Sequence, residues 1–584
     1  MEMPFLREIP ARTLPLLLGA ALAASGCASW HREPAAEDSG PAPGEQERAQ
    51  AMEPPDLGPA RVLLEAGDPN AALNRLDELQ ATAASDPAFW LLYGEANLRF
   101  ALDGIASGQA GGLQIQGLLA DAEDAYQRAA GLAPASADPW IGLLRTRRAA
   151  GDAAGAWQAG EEAFTRLAPG EDRPDFFEEW GRAGLDLVIQ AVQAGDPLPA
   201  AADRAAEALE RARAQGRREA AVPLSDLLAW SGRRDGALRV LEEALQEAPE
   251  DLELLGRLQN LTAEDPAARV RILETLRAQW PAAGAPLWYL GAALYHLHQQ
   301  ARTRGDSVAA YEALDRAEEA FQRARTLRPD YEATCRQWLH LVRTQRGWTL
   351  REEGRVEDAA QAFLHALEAD PEMLEPEAEP GSLNLGIYAV TDDFFREGRL
   401  KDVRGFLSRV AALHQGNADW LNNLGFACRE LGVAAQQAGN QEEATRLFQE
   451  SWEAYTLCVR ARPDDPRFVN DRALIAVYYL GPEVWEEAEA ELHRAIRLGE
   501  EALASLPADV TEEERKALEE AVGDAWENLA WLDVMRRGRL DRAEGYLEQS
   551  VKYYPGADRQ GVARLRLEIQ RRRQAAAADP GSPR

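Results

Sequence analysis

Lysine, cysteine and histidine are scarce in this chain of 584 residues. It has three lysines (Lys401, Lys516 and Lys552), four cysteines and seven histidines. The 64 Lys and Arg residues are outnumbered by 97 Asp and Glu residues, which gives a formal net charge of −33. A surface with that charge repels phosphate backbones and anionic lipid headgroups. The composition therefore argues against a nucleic-acid partner.

The sequence motifs of several enzyme classes are missing. His296 and His298 are two residues apart on a predicted helix, so they point away from each other and cannot chelate one metal ion. No His pair has the i, i+4 spacing with a Glu that a zinc protease needs, and no phosphate loop, nucleophile elbow or dinucleotide fingerprint occurs. We therefore predict no catalytic site, metal, cofactor or small-molecule substrate.

Three cysteines lie beyond the N-terminal region, at Cys335, Cys428 and Cys458. Their spacing fits no zinc pattern, and each lies on the apolar face of a predicted helix. A buried, small hydrophobic side chain is the ordinary role of such a cysteine. If the protein is exported, Cys428 and Cys458 could form a disulfide, because they lie on the two helices of one pair. The sequence leaves both possibilities open.

What the sequence has in abundance is apolar spacing typical of helices, most clearly in residues 419–463. Two apolar stripes there are separated by a turn at Gly439. The stripes consist of Leu421, Leu424, Gly425 and Cys428, followed by Ala444 and Phe448. The small residues Gly425 and Ala444 allow two helices to approach closely. One such pair cannot bury its outer apolar edge alone, so we predict a stacked array of helix pairs.

This stretch resembles the tetratricopeptide repeat, in which Leu-Gly, Ala, Phe and Pro recur with a period of about 34 residues. Leu424-Gly425, Ala444 and Phe448 occupy those places. The cleanest match in the chain consists of Gly347, Gly354, Ala359, Phe363, Ala366 and Pro371. The resemblance implies an all-α, right-handed superhelical solenoid of antiparallel helix pairs.

The same patterns predict the organisation of the whole chain. The predicted segments are a lipoprotein signal peptide (1–26), a flexible tether (27–59), N-terminal repeats (60–174), degenerate helical repeats (175–281), C-terminal repeats (282–560), a capping helix (561–574) and a disordered tail (575–584). Within them, Asp68 is predicted to cap a helix that begins at Pro69. Thr511 and Glu514 are predicted to form a capping box.

The N-terminus has the features of an export signal. Arg7 and Arg12 precede an apolar run from Leu14 to Ala24, which is short for a membrane span and suits the core of a signal peptide. The following Ser25-Gly26-Cys27 resembles the lipobox of bacterial lipoproteins. That resemblance implies lipidation of Cys27 and an outer-membrane anchor that faces the periplasm. The alternatives are an ordinary secretory signal, or a false signal on a soluble cytoplasmic scaffold.

Three asparagines, Asn384, Asn423 and Asn528, occupy the position before the Leu-Gly pair or its equivalent. In the tetratricopeptide family this position faces the concave groove, where the amide can donate to and accept from a peptide backbone. Arg429, one turn beyond Asn423, is the nearest candidate cation. The resemblance therefore implies a peptide groove that contains these residues.

The function implied by the resemblance is a protein-interaction scaffold. As a lipid-anchored protein it would dock envelope partners, in secretion, pilus assembly or exopolysaccharide assembly, and its acidity favours a basic or neutral partner. One alternative is an accessory or enzymatic subunit that acts on envelope polymer. That alternative requires converging acids or a metal in the irregular segment 175–281. The other alternative is the cytoplasmic scaffold.

Overall fold

The structure is a computed structural model that describes residues 56–108, 111–371, 379–507, 510–553 and 560–578. These residues contain 25 α-helices and no β-strand. They form two compact units, and the chain passes from one to the other between Glu264 and Asp265, inside the segment predicted to be irregular. The prediction of an all-α fold is confirmed.

The first unit consists of five consecutive antiparallel helix pairs and one further helix. We call the odd-numbered helix of each pair the first helix and the even-numbered one the second. The helices are α1 (Gly58–Glu65), α2 (Pro69–Ala83), α3 (Pro87–Ser107), α4 (Gly112–Leu132), α5 (Asp138–Ala149), α6 (Ala153–Arg166), α7 (Pro174–Ala194), α8 (Ala201–Ala214), α9 (Ala221–Trp230), α10 (Arg234–Glu247) and α11 (Leu252–Leu261).

The second unit begins with one helix, continues with six antiparallel pairs and ends with a single helix. They are α12 (Pro266–Gln279), α13 (Ala285–Thr303), α14 (Ser307–Leu327), α15 (Glu332–Glu352), α16 (Val356–Ala369), α17 (Leu383–Arg396), α18 (Leu400–Leu413), α19 (Ala418–Gln437), α20 (Gln441–Ala461), α21 (Pro466–Tyr479), α22 (Trp485–Ala504), α23 (Glu512–Leu532), α24 (Leu540–Lys552) and α25 (Gln560–Ala578). The predicted stacking of helix pairs is confirmed within each unit.

Helix starts follow the capping residues of the sequence. The Asp68 carboxylate accepts a hydrogen bond of 2.9 Å from the backbone N–H of Ala71, and α2 begins at Pro69. The Thr511 hydroxyl accepts from the backbone N–H of Glu514, whose carboxylate accepts from the backbone N–H of Thr511. Both predicted caps are confirmed, because each satisfies backbone donors that a helix leaves unpaired at its N-terminus.

The pair α19–α20 has the features predicted for residues 419–463. The first stripe and the two residues of the second are buried: Leu421, Leu424, Gly425, Cys428, Ala444 and Phe448. Gly439 lies in the turn with φ of +79°, a conformation that favours glycine. The two stripes therefore face each other across the pair, as the spacing predicts.

Aromatic rings of second helices pack directly against glycines of first helices. The ring of Phe363 on α16 contacts Gly347 on α15 and also Gly386 on α17, where an added Cβ would lie 2.5 Å from a ring carbon. Tyr455 fills the corresponding place beside Gly425, where an added Cβ would lie 2.8 Å from a ring carbon. Similar contacts are those of Tyr126 with Gly94 and Gly142, Phe321 with Gly291, and Phe448 with Gly432. One ring thus joins its own pair to the next.

Arginines provide a second connection between successive helix pairs. Arg351 of α15 donates to both carboxylate oxygens of Asp393 on α17, at 2.6 and 3.1 Å. Arg404 of α18 forms the same forked contact with Glu450 of α20, at 2.7 and 3.0 Å. Further pairs of this kind are Arg148–Asp186, Arg204–Glu161 and Arg302–Glu352. The planar guanidinium suits such two-point contacts, whereas a lysine ammonium does not.

The cysteines correct one hypothesis from the sequence. All three described cysteines are free and buried. The Cys428 sulfur lies 3.9 Å from the Glu450 carboxylate, whereas the Cys458 thiol donates to the carbonyl of Ala418, at 3.4 Å. Cys428 thus lies beside Glu450, and Glu450 is about 12 Å from Cys458 along α20. Since a disulfide needs Cα atoms within about 7 Å, the two cysteines do not pair in this structure.

The two ends of the chain are described only in part. The predicted signal peptide, Cys27 and most of the predicted tether lie outside the described residues. At the other end, α25 includes the predicted capping helix and continues through residues 575–578 of the predicted tail. Among the described helices, none combines the length and the apolar character needed to cross a membrane.

Candidate functional site

Two of the three predicted groove asparagines are buried between helices. Asn384 and Asn528 are 3% and 4% exposed. The Asn384 amide oxygen accepts a hydrogen bond of 3.2 Å from Asn417, the N-cap of α19, and the Asn528 amide donates to the Asn470 amide oxygen at 3.0 Å. These two amides connect neighbouring first helices, and their burial leaves them out of reach of a peptide.

The third asparagine, Asn423, lies in a shallow pocket of about 320 Å³ together with Arg429. The other lining residues are Phe395, Asn422, Phe426, Tyr455 and Asp471. They come from helices α17, α19, α20 and α21. The structure therefore brings together two of the four predicted groove residues, and we call this site the α19 pocket.

Asn422 and Asn423 supply the free polar groups of the α19 pocket. Both side chains are half-buried, and neither amide forms a hydrogen bond with any residue that the structure describes. Each amide can therefore donate and accept toward a ligand without losing an internal contact. This distinguishes Asn423 from Asn384 and Asn528, whose side chains already bond to neighbours.

The apolar wall of the pocket is a pair of phenylalanines. The rings of Phe395 and Phe426 are 5.8 Å apart with an interplanar angle of 69°, an edge-to-face contact. Phe426 is 37% exposed, and the Arg429 guanidinium carbon lies 4.9 Å from its ring centre. Arg429 also forms an ion pair of 3.0 Å with Glu430. The wall thus combines an accessible aromatic surface with a cation that is already paired.

The base of the pocket contains a hydroxyl and a carboxylate. Tyr455 is 1% exposed, and burial raises the pKa of its hydroxyl, which therefore stays neutral. The pKa of the Asp471 carboxyl is also raised, to about 6, chiefly by burial. The positive charge of Arg429 lowers this pKa, and the negative charge of Asp524 raises it. The Asn470 amide donates to Asp471 at 3.3 Å. Asn470 therefore bonds to both the buried Asn528 and the pocket carboxylate.

Reasoning from the sequence missed the residues that reach the pocket from other helices. Phe395, Tyr455 and Asp471 lie 28 to 48 positions from Asn423 in the sequence. Only the tertiary structure brings them together. One local signal was available. Phe426 falls outside the apolar stripe of α19 and shares a face with Asn422 and Arg429, at i, i+4 and i+7. An aromatic on the polar face of a helix indicates a contact surface.

Segment 175–281, in which the enzymatic alternative places its site, contains a cavity of about 1390 Å³. The cavity is lined by residues of α7 to α11. Several lining carboxylates are paired with arginines: Arg213–Glu243, Arg218–Glu247 and Arg257–Asp226. Over the described part of the chain, no group of three His, Cys, Asp or Glu side chains is arranged to hold a metal ion. The cavity has room for a ligand, but its ion pairs resemble the structural contacts seen elsewhere in the protein.

One family model matches the chain, and its description is the tetratricopeptide repeat. The match covers residues 342–373. Residues 342–373 are therefore similar to a tetratricopeptide repeat. They include the C-terminal half of α15 and all of α16, with Gly347 and Phe363. This is the segment that the sequence pattern identifies as the cleanest match, so that prediction is confirmed.

Solved structures of tetratricopeptide repeat proteins are also similar to the chain. One is the C-terminal part of a TPR repeat-containing protein from Cytophaga hutchinsonii, with 12% identity, coverage of 47% of this chain and 96% of that one, and a TM-score of 0.30. Another is YrrB, described as a TPR protein with an unusual peptide-binding site, with 16% identity, coverage of 44% and 93%, and a TM-score of 0.22. No curated protein matches the sequence. At these TM-scores the comparisons carry no information about a partner.

The different positions of the asparagines predict different effects of the same substitution. Asn528→Ala leaves the buried Asn470 amide oxygen without its donor, so we expect the free energy of unfolding to fall by about 1–3 kcal/mol. Asn423→Ala, the matched control, removes an amide without an internal partner and should change stability by less than about 0.5 kcal/mol. Urea denaturation followed by circular dichroism measures both. Equal stabilities of the two variants would contradict the assignment.

Proposed function

We propose that this protein is a protein-interaction scaffold that binds a peptide segment of its partner in the α19 pocket. The observation that carries the proposal is the combination of unpaired Asn422 and Asn423 amides with the exposed ring of Phe426 on one helix face. Stacked helix pairs present such faces on a rigid support, because each pair is fixed by its neighbours. The similarity of residues 342–373 to the tetratricopeptide repeat is consistent with this role.

Physical reasons favour a peptide over a small metabolite at this site. The pocket is shallow, so it leaves much of a ligand in contact with solvent, whereas small-molecule sites bury most of their ligand. Amides that both donate and accept suit a peptide backbone, which carries one donor and one acceptor per residue. The Phe426 ring suits an anchor contact, since aromatic residues dominate the binding energy of many interfaces.

We further propose that the scaffold is attached to the outer membrane of a bacterium by lipid on Cys27 and faces the periplasm. The support is the sequence around Cys27, which resembles a lipobox after a short apolar run. Under this proposal the partners are envelope proteins, in secretion, pilus assembly or exopolysaccharide assembly. A peptide-binding scaffold held at a membrane would concentrate such partners there.

The peptide-binding proposal predicts that Phe426→Ala weakens binding. A displayed library of random peptides is selected on the full chain, and the selected peptides are then titrated against variants. Loss of the ring should weaken binding by about tenfold or more. Phe164→Ala is the matched control, because Phe164 is 39% exposed but lies in the first unit, outside the pocket. Phe164→Ala should bind as the wild type does, and undiminished binding to Phe426→Ala would contradict the proposal.

The anchoring proposal predicts incorporation of a fatty acid at Cys27. Bacteria that express the full chain are fed an alkyne fatty acid, and the purified protein is examined for label and for the mass of its N-terminus. Label should appear on the wild type and on the control Cys335→Ser, but not on Cys27→Ser. A protein that keeps Met1 and carries no label would contradict the anchor without affecting the peptide-binding proposal.

A further inference from the structure

Of the two charged side chains that line the α19 pocket, one forms an ion pair and the other does not. Arg429, its one cation, is paired with Glu430 at 3.0 Å and lies over the Phe426 ring. Asp471, its one carboxylate, is half-buried and has no ion-pair partner within 4 Å among the described residues. It accepts a hydrogen bond of 3.3 Å from the neutral Asn470 amide. The unbalanced charge that the pocket offers to a ligand is therefore negative.

The remaining polar groups of the pocket can also accept hydrogen bonds. The Tyr455 hydroxyl forms no hydrogen bond with a described residue, although its ring is almost completely buried. The Asn422 and Asn423 amide oxygens are likewise unoccupied. A carboxylate, a hydroxyl and two amide oxygens around one pocket match a group with several donors. The ammonium of Lys has three N–H donors and the guanidinium of Arg has five.

We propose that the α19 pocket binds a Lys or Arg side chain of the partner peptide, with its cationic group on Asp471 and its aliphatic stem against Phe426 and Phe395. This inference rests on the peptide-binding function proposed above and names the residue class that the site selects. The stem of either side chain packs well on apolar surface while its charged end stays in polar surroundings. A half-buried carboxylate without a direct ion-pair partner gains from a ligand that supplies one.

An acidic or neutral anchor fits the site less well. An anion would have to compete with Glu430 for Arg429 and would lie close to Asp471. The net charge of −33 would also repel it on approach, whereas it attracts basic segments and speeds their association. A neutral aliphatic side chain could contact the phenylalanines but would leave Asp471 desolvated and unpaired.

The surroundings of Asp471 predict how the interaction depends on pH. The charged or titratable groups that interact with it are Arg429 of α19, Tyr455 and Cys458 of α20, Arg467 of α21 and Asp524 of α23. Arg467 is paired with Asp465. Burial raises the pKa of Asp471 to about 6, so the free pocket loses its negative charge below that pH. Binding of a cationic side chain should therefore weaken as the pH falls from 7.5 to 5.

The test uses libraries of N-acetylated, C-amidated octapeptides, in which one position is Lys, Arg, norleucine or Glu and the others are random. Blocked termini ensure that only the side chain carries the charge. Against the full chain, the Lys and Arg libraries should bind about tenfold more tightly than the norleucine library. Asp471→Asn should remove this preference, whereas Glu453→Gln, which removes an exposed acid outside the pocket, should retain it.

Tyr455→Phe provides a second variant, because it keeps the ring against Gly425 and removes only the hydroxyl. It should reduce the preference for Lys and Arg. Because the ring packing is kept, the melting temperature should change little. Binding that depends on Phe426 but is equal for the norleucine and Lys libraries would overturn the cation inference and leave the scaffold proposal intact. Binding that does not depend on Phe426 for any library would overturn both.

Discussion

The ring of Phe363 lies between two glycines, Gly347 and Gly386, that belong to successive first helices. This contact requires a glycine on each side, because a single added methyl group at Gly386 would come within 2.5 Å of the ring. It also means that the second helix of one pair completes its core only when the next pair is present. The stacking of pairs follows from this packing, and a helix pair alone would leave one side of the ring exposed to water.

The candidate site depends on the same arrangement. Tyr455 packs its ring against Gly425 and so fixes the distance between α19 and α20, while its hydroxyl reaches the α19 pocket. On the other side, Asn470 bonds to Asn528 and to Asp471, and thereby orients the pocket carboxylate from a buried position. The groups offered to a ligand are thus held by the contacts that hold the array together, which limits their motion before binding.

Much of the fold could be predicted from the sequence because its determinants are local. Helical spacing, the turn at Gly439 and the caps at Asp68 and Thr511 each depend on residues within a few turns. The site could be predicted only in part, since its members come from four helices. Asn423 and Asn528 occupy equivalent places in the repeat pattern, yet Asn423 lines the α19 pocket and Asn528 bonds to Asn470. That difference is decided by the neighbouring helix, which no local pattern contains.

The most direct test of this account is the stability of Gly386→Ala compared with Gly405→Ala. Gly405 is an exposed helical glycine with no atom within 4 Å of an added Cβ, so alanine there should be neutral or stabilising by up to about 1 kcal/mol. Gly386→Ala should lower the free energy of unfolding by about 1–3 kcal/mol and speed amide hydrogen exchange in α15, α16 and α17 together. If Gly386→Ala is as stable as Gly405→Ala, or if faster exchange is confined to α17, the ring of Phe363 does not couple successive pairs.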